Sequence, residues 1–185
     1  MAAAVFHLTS FIQVIDQQDT ICALATPPGV SAIALLRVSG DAAIAIADKI
    51  FVPSDKGPAL AERAANTIHY GNIVEHEAVV DEVMVSIFRS PHSYTGEDSI
   101  EISCHGSPYI QDQILQVLIR AGARTAHPGE YTQRAFLNGK MDLSRAEAVA
   151  DLIASHSASS HRLAIQHIKG GFARDIQTLR EQLVN

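Results

Sequence analysis

Short apolar runs and turn signals alternate along the first two thirds of the chain. Residues 21–25 and 33–38 are apolar with one exception, and a Pro-Pro-Gly turn lies between them, so both runs predict buried strands. Residues 67–74 and 79–88 form a second pair of apolar runs. The polar turn Glu75-His76-Glu77 separates this pair, which predicts a hairpin.

Residues 91–106 concentrate polar and reactive side chains. Turn-forming residues open this stretch, and residues 99–104 then alternate between apolar and polar positions, which predicts a half-buried strand. Because successive side chains of a strand point to opposite faces, the apolar residues share one face, and Glu101 and Ser103 share the other.

Two segments have the residue spacing of a helix, one between these strands and one after them. Ala43, Ile46, Ala47 and Ile50 follow the period of one helical face, and residues 39–41 offer polar caps in front of them. A longer amphipathic helix is predicted to begin at Pro108 and to end before Gly122, a residue that favours the position just past a helix. Residues 53–66 form a polar connector, and a second connector follows Gly122, with Pro128-Gly129-Glu130 and then Asn138-Gly139-Lys140.

From Met141 onward the pattern is almost entirely helical. Ser144 and Glu147 have the spacing of a capping box, so a helix is expected to begin there. A second helical run covers residues 159–183, and Gly170-Gly171 should bend or weaken it. These helices lack an apolar partner within the 185 residues, so we expect a fragment of a longer protein or an obligate interaction surface.

These patterns predict an α+β fold in three parts. Residues 1–18 are an extension with no assigned role. Residues 19–140 form an α/β domain, and residues 141–185 form the first, truncated part of an all-helical domain.

Composition narrows the class of protein. The formal net charge of −6 argues against a broad grip on nucleic-acid backbones, although a local basic pocket is compatible with it. Two cysteines without a CxxC motif exclude a disulfide framework and a zinc knuckle. With no apolar run near the ~20 residues that span a membrane, the chain is expected to be cytoplasmic and to have no membrane partner.

Arg37 and Glu101 are each the only charge in their predicted strands. Each side chain is either solvated on an exposed face or part of a site, and the pattern alone favours the solvated reading for Glu101. A buried charge costs several kcal/mol without a partner, so if both are buried each needs a mate or a ligand.

Other reactive residues give weaker signals. Cys104 and His105 are adjacent on a strand and therefore point apart, so a buried structural thiol is favoured over a nucleophile with its base. The nine histidines lack metal-ligand spacing, which predicts no metal site. Lys140 follows an Asn-Gly turn but belongs to no GxxxxGK[ST] motif, so no phosphate-binding P-loop is predicted.

Several blocks of sequence, in a specific order, resemble one family. They are DTI at 19–21 with ATPPG at 25–29, LRVSG at 36–40, SYTGED at 93–98 with Glu101 and His105-Gly106, PGEYTQRAFLNGKMDL at 128–143, and AEA at 146–148. Together they resemble the N-terminal part of the tRNA-modification GTPases of the MnmE (TrmE) family. The resemblance covers about residues 19–180.

The resemblance implies a fold, a ligand and partners. It implies an α/β domain similar to tetrahydrofolate-binding aminomethyltransferases, which homodimerises and binds 5-formyltetrahydrofolate or 5,10-methylenetetrahydrofolate. A helical domain carrying an inserted GTPase would follow it, with GTP, Mg and K used only in the full-length protein. With MnmG, such a protein adds an aminomethyl-type group to C5 of the wobble uridine, position 34, of certain tRNAs.

The resemblance also implies roles for three residues. Arg37, Glu101 and Lys140 match the positions of the family's folate contacts, and no catalytic residue is implied within these 185 residues. Two alternatives stay open at this stage. One alternative to this reading is a self-contained folate-dependent one-carbon transferase, which would turn over a folate by itself. The other is a structural dimerisation module with no folate affinity.

Overall fold

The computed structural model describes residues 19–168 as a seven-stranded sheet with five α-helices and one short 3₁₀ turn at Leu60–Glu62. The strands are β1 (Ile21–Leu24), β2 (Ile33–Ser39), β3 (Phe51–Pro53), β4 (Thr67–Glu75), β5 (Ala78–Phe88), β6 (Ser99–His105) and β7 (Arg124–Thr125). The helices are α1 (Ala43–Ile50), α2 (Pro108–Ala121), α3 (Glu130–Leu137), α4 (Leu143–Ile153) and α5 (Ala158–Ile168). This confirms the predicted α+β class.

The sheet is almost entirely antiparallel. Its strand order is β3-β4-β5-β6-β2-β1-β7, and only the pairing of β1 with β7 is parallel. The strands β2 and β6, which carry Arg37 and Glu101, are therefore neighbours in the middle of the sheet although 64 positions separate these residues.

One face of the sheet forms the hydrophobic core. Helices α1 and α2 pack on this face, and their apolar side chains meet those of the central strands. The most deeply buried of these are Leu36, Val38, Val85, Ile87, Ile100, Ile102, Ile114 and Leu118. Burying side chains of this size contributes about 1.5–3 kcal/mol each, so this layer is the main source of stability.

The opposite face of the sheet, which we call the open face, is covered only in part. Helix α3 lies over the β1–β2 end of this face, where the ring of its residue Tyr131 lies beside the Arg37 side chain. Several large apolar side chains elsewhere on this face are exposed, among them Ile68, Tyr70 and Met84. The open face thus combines an apolar surface with the charged pair described below.

Most of the predicted elements are present with small changes at their ends. The hairpin β4–β5 turns at His76 and Glu77, whose φ angles of 47° and 67° suit the tight turns that join antiparallel strands. Helix α2 begins at Pro108 and ends before Gly122, which adopts the left-handed conformation at φ 119°. Ala43, Ile46, Ala47 and Ile50 are buried on one face of α1 as predicted.

Three local predictions were wrong. Helix α4 begins earlier than Ser144, because the carboxylate of Asp142 accepts a hydrogen bond from the Arg145 N–H and caps the helix. Helix α1 has no side-chain cap from residues 39–41, and Thr20 Oγ1 accepts from the Ala42 N–H instead. The connector predicted after Gly122 contains helix α3 at Glu130–Leu137.

Some predictions fall outside residues 19–168. These are the extension at 1–18 and the helical run beyond residue 168, with its Gly170-Gly171 bend. The boundary predicted between residues 140 and 141 falls between α3 and α4 and stays a prediction. In the part of the chain that the structure describes, every helix is too short or too polar to cross a membrane.

Candidate functional site

The centre of the candidate site is an ion pair between Arg37 and Glu101. These residues lie directly opposite each other on β2 and β6, and both side chains point to the open face. Arg37 Nε and Nη2 donate to the same oxygen, Glu101 Oε1, at 2.9 and 2.6 Å. The side chains are 24% and 22% exposed, so the pair is neither solvated freely nor sealed in the core. Each charge therefore has the partner that its burial requires.

Two tyrosine rings flank the guanidinium of Arg37. The Arg37 Cζ atom lies 5.2 Å from the ring centre of Tyr94 and 5.6 Å from that of Tyr131, both within the range of cation–π attraction. The hydroxyl of Tyr131 donates to the Arg37 carbonyl at 2.7 Å, and burial raises the pKa of this phenol, so it remains a donor. The guanidinium is thus held by a carboxylate and by aromatic rings.

The loop at residues 91–98 carries Tyr94 and contacts both helix α3 and Lys140. The hydroxyls of Tyr94 and Thr132 lie 2.9 Å apart, and Asn138 Nδ2 donates to the Thr95 carbonyl at 2.8 Å. Gly96 has φ 83°, and a Cβ atom there would lie 3.1 Å from Cγ of Lys140, so the lysine stem packs closely on this loop. The tip of Lys140 donates to the Pro91 carbonyl at 2.7 Å.

The three predicted site residues are therefore not equivalent. Arg37 and Glu101 touch each other, whereas Lys140 is exposed and is linked to them through the loop at 91–98 rather than by direct contact.

A buried ion network fixes helix α3 beside the pair. The fully buried Glu130 accepts from Arg124 at 2.8 and 3.0 Å and from Arg134 at 3.1 Å. Arg134 is 2% exposed and also donates to Glu97 and to the Asp19 carbonyl. Hence α3, the loop at 91–98 and the start of β1 are fastened to one another.

The charges in this network set the pKa of Glu130. Burial alone raises the pKa of this carboxyl. Hydrogen bonds from Arg124, the His127 N–H and Arg134 outweigh burial and lower the pKa to about 2. The same contacts raise the pKa of Arg124. Glu130 therefore stays ionised at neutral pH.

Cys104 and His105 point apart, as expected from their adjacency on a strand. Cys104 is 3% exposed, and burial raises its pKa to about 11, which leaves it protonated and a poor nucleophile. His105 is exposed, and its Nδ1 lies 2.7 Å from Asp81 Oδ1. Among residues 19–168, no three His, Cys, Asp or Glu side chains are grouped to hold a metal ion.

Sequence reasoning assigned no role to the residues that hold the ion pair in place. Tyr94, Tyr131, Glu130 and Arg134 all lie in blocks that carry the family resemblance, but no strand or helix was predicted for them. One available signal was the i, i+4 spacing of Glu130 and Arg134, which pairs side chains on a helix.

Comparisons with known proteins identify the chain's relatives. Residues 20–140 match the family model described as the GTP-binding protein TrmE N-terminus. The chain is 60% identical over 168 residues to a tRNA modification GTPase MnmE of Bacteroides fragilis, which covers 91% of this chain and 36% of that protein. Proteins of the same name from Bacteroides thetaiotaomicron and Flavobacterium johnsoniae are 60% and 55% identical, with the same coverage. The chain thus spans about a third of the length of these relatives.

Proposed function

Because the chain belongs to the family of the GTP-binding protein TrmE N-terminus, we propose that it is the tetrahydrofolate-binding and dimer-forming part of a tRNA-modification GTPase. The observation that carries the folate proposal is the ion pair on the open face. Glu101 is held in a half-buried position by Arg37, whose guanidinium lies beside two aromatic rings, and such a surface suits a flat, polar ligand ring.

The chemistry of the ligand fits a carboxylate held in this way. A pterin ring presents an N–H and an amino group side by side, and one carboxylate accepts hydrogen bonds from both. Hydrogen bonds to a charged group contribute about 1.5–3 kcal/mol net, enough to fix the orientation of the ring. Lys140, which packs on the loop that carries Tyr94, is then suited to meet the anionic tail of 5-formyltetrahydrofolate or 5,10-methylenetetrahydrofolate.

The remaining activities belong to the longer protein. In it, GTP with Mg and K would bind a GTPase domain beyond the matched region, and MnmG would be the partner. The complex would add an aminomethyl-type group to C5 of the wobble uridine at position 34 of certain tRNAs in the cytoplasm. In this proposal the present chain supplies the folate site and the dimer contact, and no catalytic residue.

Binding of 5-formyltetrahydrofolate, measured by isothermal titration calorimetry, tests the folate site. We expect Glu101→Gln to weaken binding by about 10-fold or more, because the amide replaces one acceptor oxygen with a donor and removes the charge. Glu75→Gln is the matched control, since Glu75 also pairs with an arginine, Arg120 of helix α2, but on the side of the sheet opposite the open face. Unchanged affinity in Glu101→Gln, or no binding by the wild-type chain, would contradict the proposal.

A further inference from the structure

Arg63 fastens the exposed loop at residues 54–59, which we call the outer loop. Its guanidinium donates to both carboxylate oxygens of Asp55 at 2.7 Å and, through Nε, to the Pro58 carbonyl at 2.8 Å. The Arg63 side chain is 7% exposed, because the outer loop covers it. A Cβ atom at Gly57 would lie 2.7 Å from Arg63 Nη2, so the loop backbone and the guanidinium are in close contact.

His69 of strand β4 contacts the same guanidinium. Its side chain lies on the face of the strand that carries the buried residues Gly71 and Ile73, away from the open face. Arg63 Nη1 lies 2.7 Å from His69 Nδ1 and also donates to Asp55, so each of its two N–H groups has a partner. Because a guanidinium only donates, His69 Nδ1 accepts and therefore carries no proton.

Thr67 fixes the position of the proton on the other ring nitrogen of His69. The Thr67 hydroxyl donates to the Ala64 carbonyl at 2.6 Å, which leaves its oxygen to accept from His69 Nε2–H at 2.7 Å. Both ring contacts thus require the same neutral tautomer, with the proton on Nε2. A second proton, on Nδ1, would point at an N–H of Arg63 and replace a hydrogen bond with a contact between two cations.

The environment of His69 favours its neutral form. Burial and the positive charge of Arg63 lower the pKa of His69 below the ordinary value of about 6.5. The negative charge of Asp55 acts in the opposite direction with a smaller effect.

The next charged groups around His69 bond to other parts of the chain. Asp48 of α1 accepts from N–H groups of the 3₁₀ turn at Leu60–Glu62, and Arg89, just after β5, donates to carbonyls of that turn. The β5 residue opposite His69 is the uncharged Val85. Protonation of His69 is therefore controlled mainly by burial and by the guanidinium beside it.

We propose that Arg63 and His69 form a pH-sensitive latch, which holds the outer loop in place at neutral pH and releases it in mild acid. While the ring is neutral, the guanidinium is bonded both to β4 and to the outer loop. When the ring takes up a proton, Arg63 loses its acceptor on β4 and is repelled, and the loop that is bonded to Arg63 detaches with it. Loop attachment is thus complete above about pH 6.5 and is lost as the pH falls through the lowered pKa of His69.

Hydrogen–deuterium exchange of the 185-residue chain at about pH 7.5 and about pH 4.5, corrected for intrinsic exchange rates, tests the latch. A peptide spanning residues 54–63 reports on the loop, because the Ser54 N–H donates to the Tyr70 carbonyl and the Arg63 N–H to the Leu60 carbonyl. We expect its protection to fall about 10-fold or more at the lower pH, the effect of losing one hydrogen bond to a charged group. Peptides from β5 and β6 should keep their protection.

His69→Gln separates the latch from a general effect of acid. A glutamine amide accepts from Arg63 and donates to Thr67 at either pH, so protection of residues 54–63 should change by less than about 3-fold. His161→Gln, which removes an exposed histidine of helix α5, is the matched control and should behave as the wild type. Unchanged protection in the wild type, an equal loss in His69→Gln, or simultaneous loss in β5 and β6 would overturn the proposal.

The tautomer of His69 provides a second measurement that needs no variant. A long-range ¹H–¹⁵N spectrum of the wild-type chain near neutral pH should show the His69 ring neutral, with its proton on Nε2. A proton on Nδ1, or a charged ring at that pH, would exclude the hydrogen bond from Arg63 and overturn the latch.

Discussion

At the scale of single residues, Arg37 and Glu101 face each other across neighbouring strands on the open face of the sheet. Alternation along residues 99–104 correctly assigned Glu101 to the face opposite the core. The same alternation gave no indication that Arg37 faces it, because the pairing of β2 with β6 brings together positions far apart in the chain. Solvated and paired carboxylates look alike in sequence, and only the neighbouring strand distinguishes them.

The buried ion network provides the stability test at this scale. Removing one partner of a buried ion pair leaves an uncompensated charge and costs about 3–5 kcal/mol, so Glu130→Gln should lower the free energy of unfolding by that amount at neutral pH. Urea denaturation measures the difference. The surface pair variant Glu75→Gln should cost no more than about 1 kcal/mol.

The loss of stability in Glu130→Gln should depend on pH. The pKa of Glu130 is about 2 in the folded chain and about 4.5 for an unperturbed group, so the folded state holds fewer protons between these values. The stability from its ionised form is therefore present above about pH 4.5 and is lost as the pH falls toward 2. The gap between wild type and Glu130→Gln should narrow over this range, and a constant gap would contradict the ionised network.

At the scale of elements, the longer strands and the helices with an apolar face were predicted, whereas β3, β7 and helix α3 were not. Helices α1 and α2 have apolar faces that repeat at helical spacing, and both were found. Helix α3 has eight residues, and its buried side chains include Glu130 and Arg134. Its inward face is charged, so a hydrophobic pattern contains no signal for it.

The start of helix α4 gives a test at this scale. Asp142→Ala removes the carboxylate that accepts from the Arg145 N–H at 2.8 Å, and should destabilise the helix by about 0.5–2 kcal/mol. Thermal unfolding followed by circular dichroism measures the loss. Ser144→Ala is the informative comparison, since the capping-box pattern assigned the cap to that residue. A larger effect from Ser144→Ala than from Asp142→Ala would contradict the observed cap.

At the scale of the whole molecule, the sheet has one covered face and one face that is largely uncovered. The α+β class followed from the pattern of strands and helices. The strand order did not, because β3 and β7 have three and two residues and leave almost no pattern. The folate site remains a prediction from resemblance, supported by the geometry of the ion pair.

Dimer formation is the prediction that belongs to the whole chain. Exposed Ile68, Tyr70 and Met84 give the open face an apolar surface of the kind that marks interaction sites. We expect light scattering of the 185-residue chain to report twice the monomer mass at micromolar concentrations, with dissociation on dilution. A monomer mass at every concentration would contradict a dimer-forming role, and folate binding by that monomer would keep the two proposed roles separate.

The ion pair between β2 and β6 also has a consequence for how the strands find their alignment. If β2 slipped by one residue, its side chains would exchange faces, and Arg37 would enter the core beside Ile100 and Ile102. A slip of two residues would keep the faces but leave Glu101 opposite an uncharged neighbour, either Leu35 or Ser39. Only the native register keeps Arg37 out of the core and pairs it with Glu101. The charges proposed to hold a ligand therefore also disfavour misaligned pairing of β2 with β6 during folding.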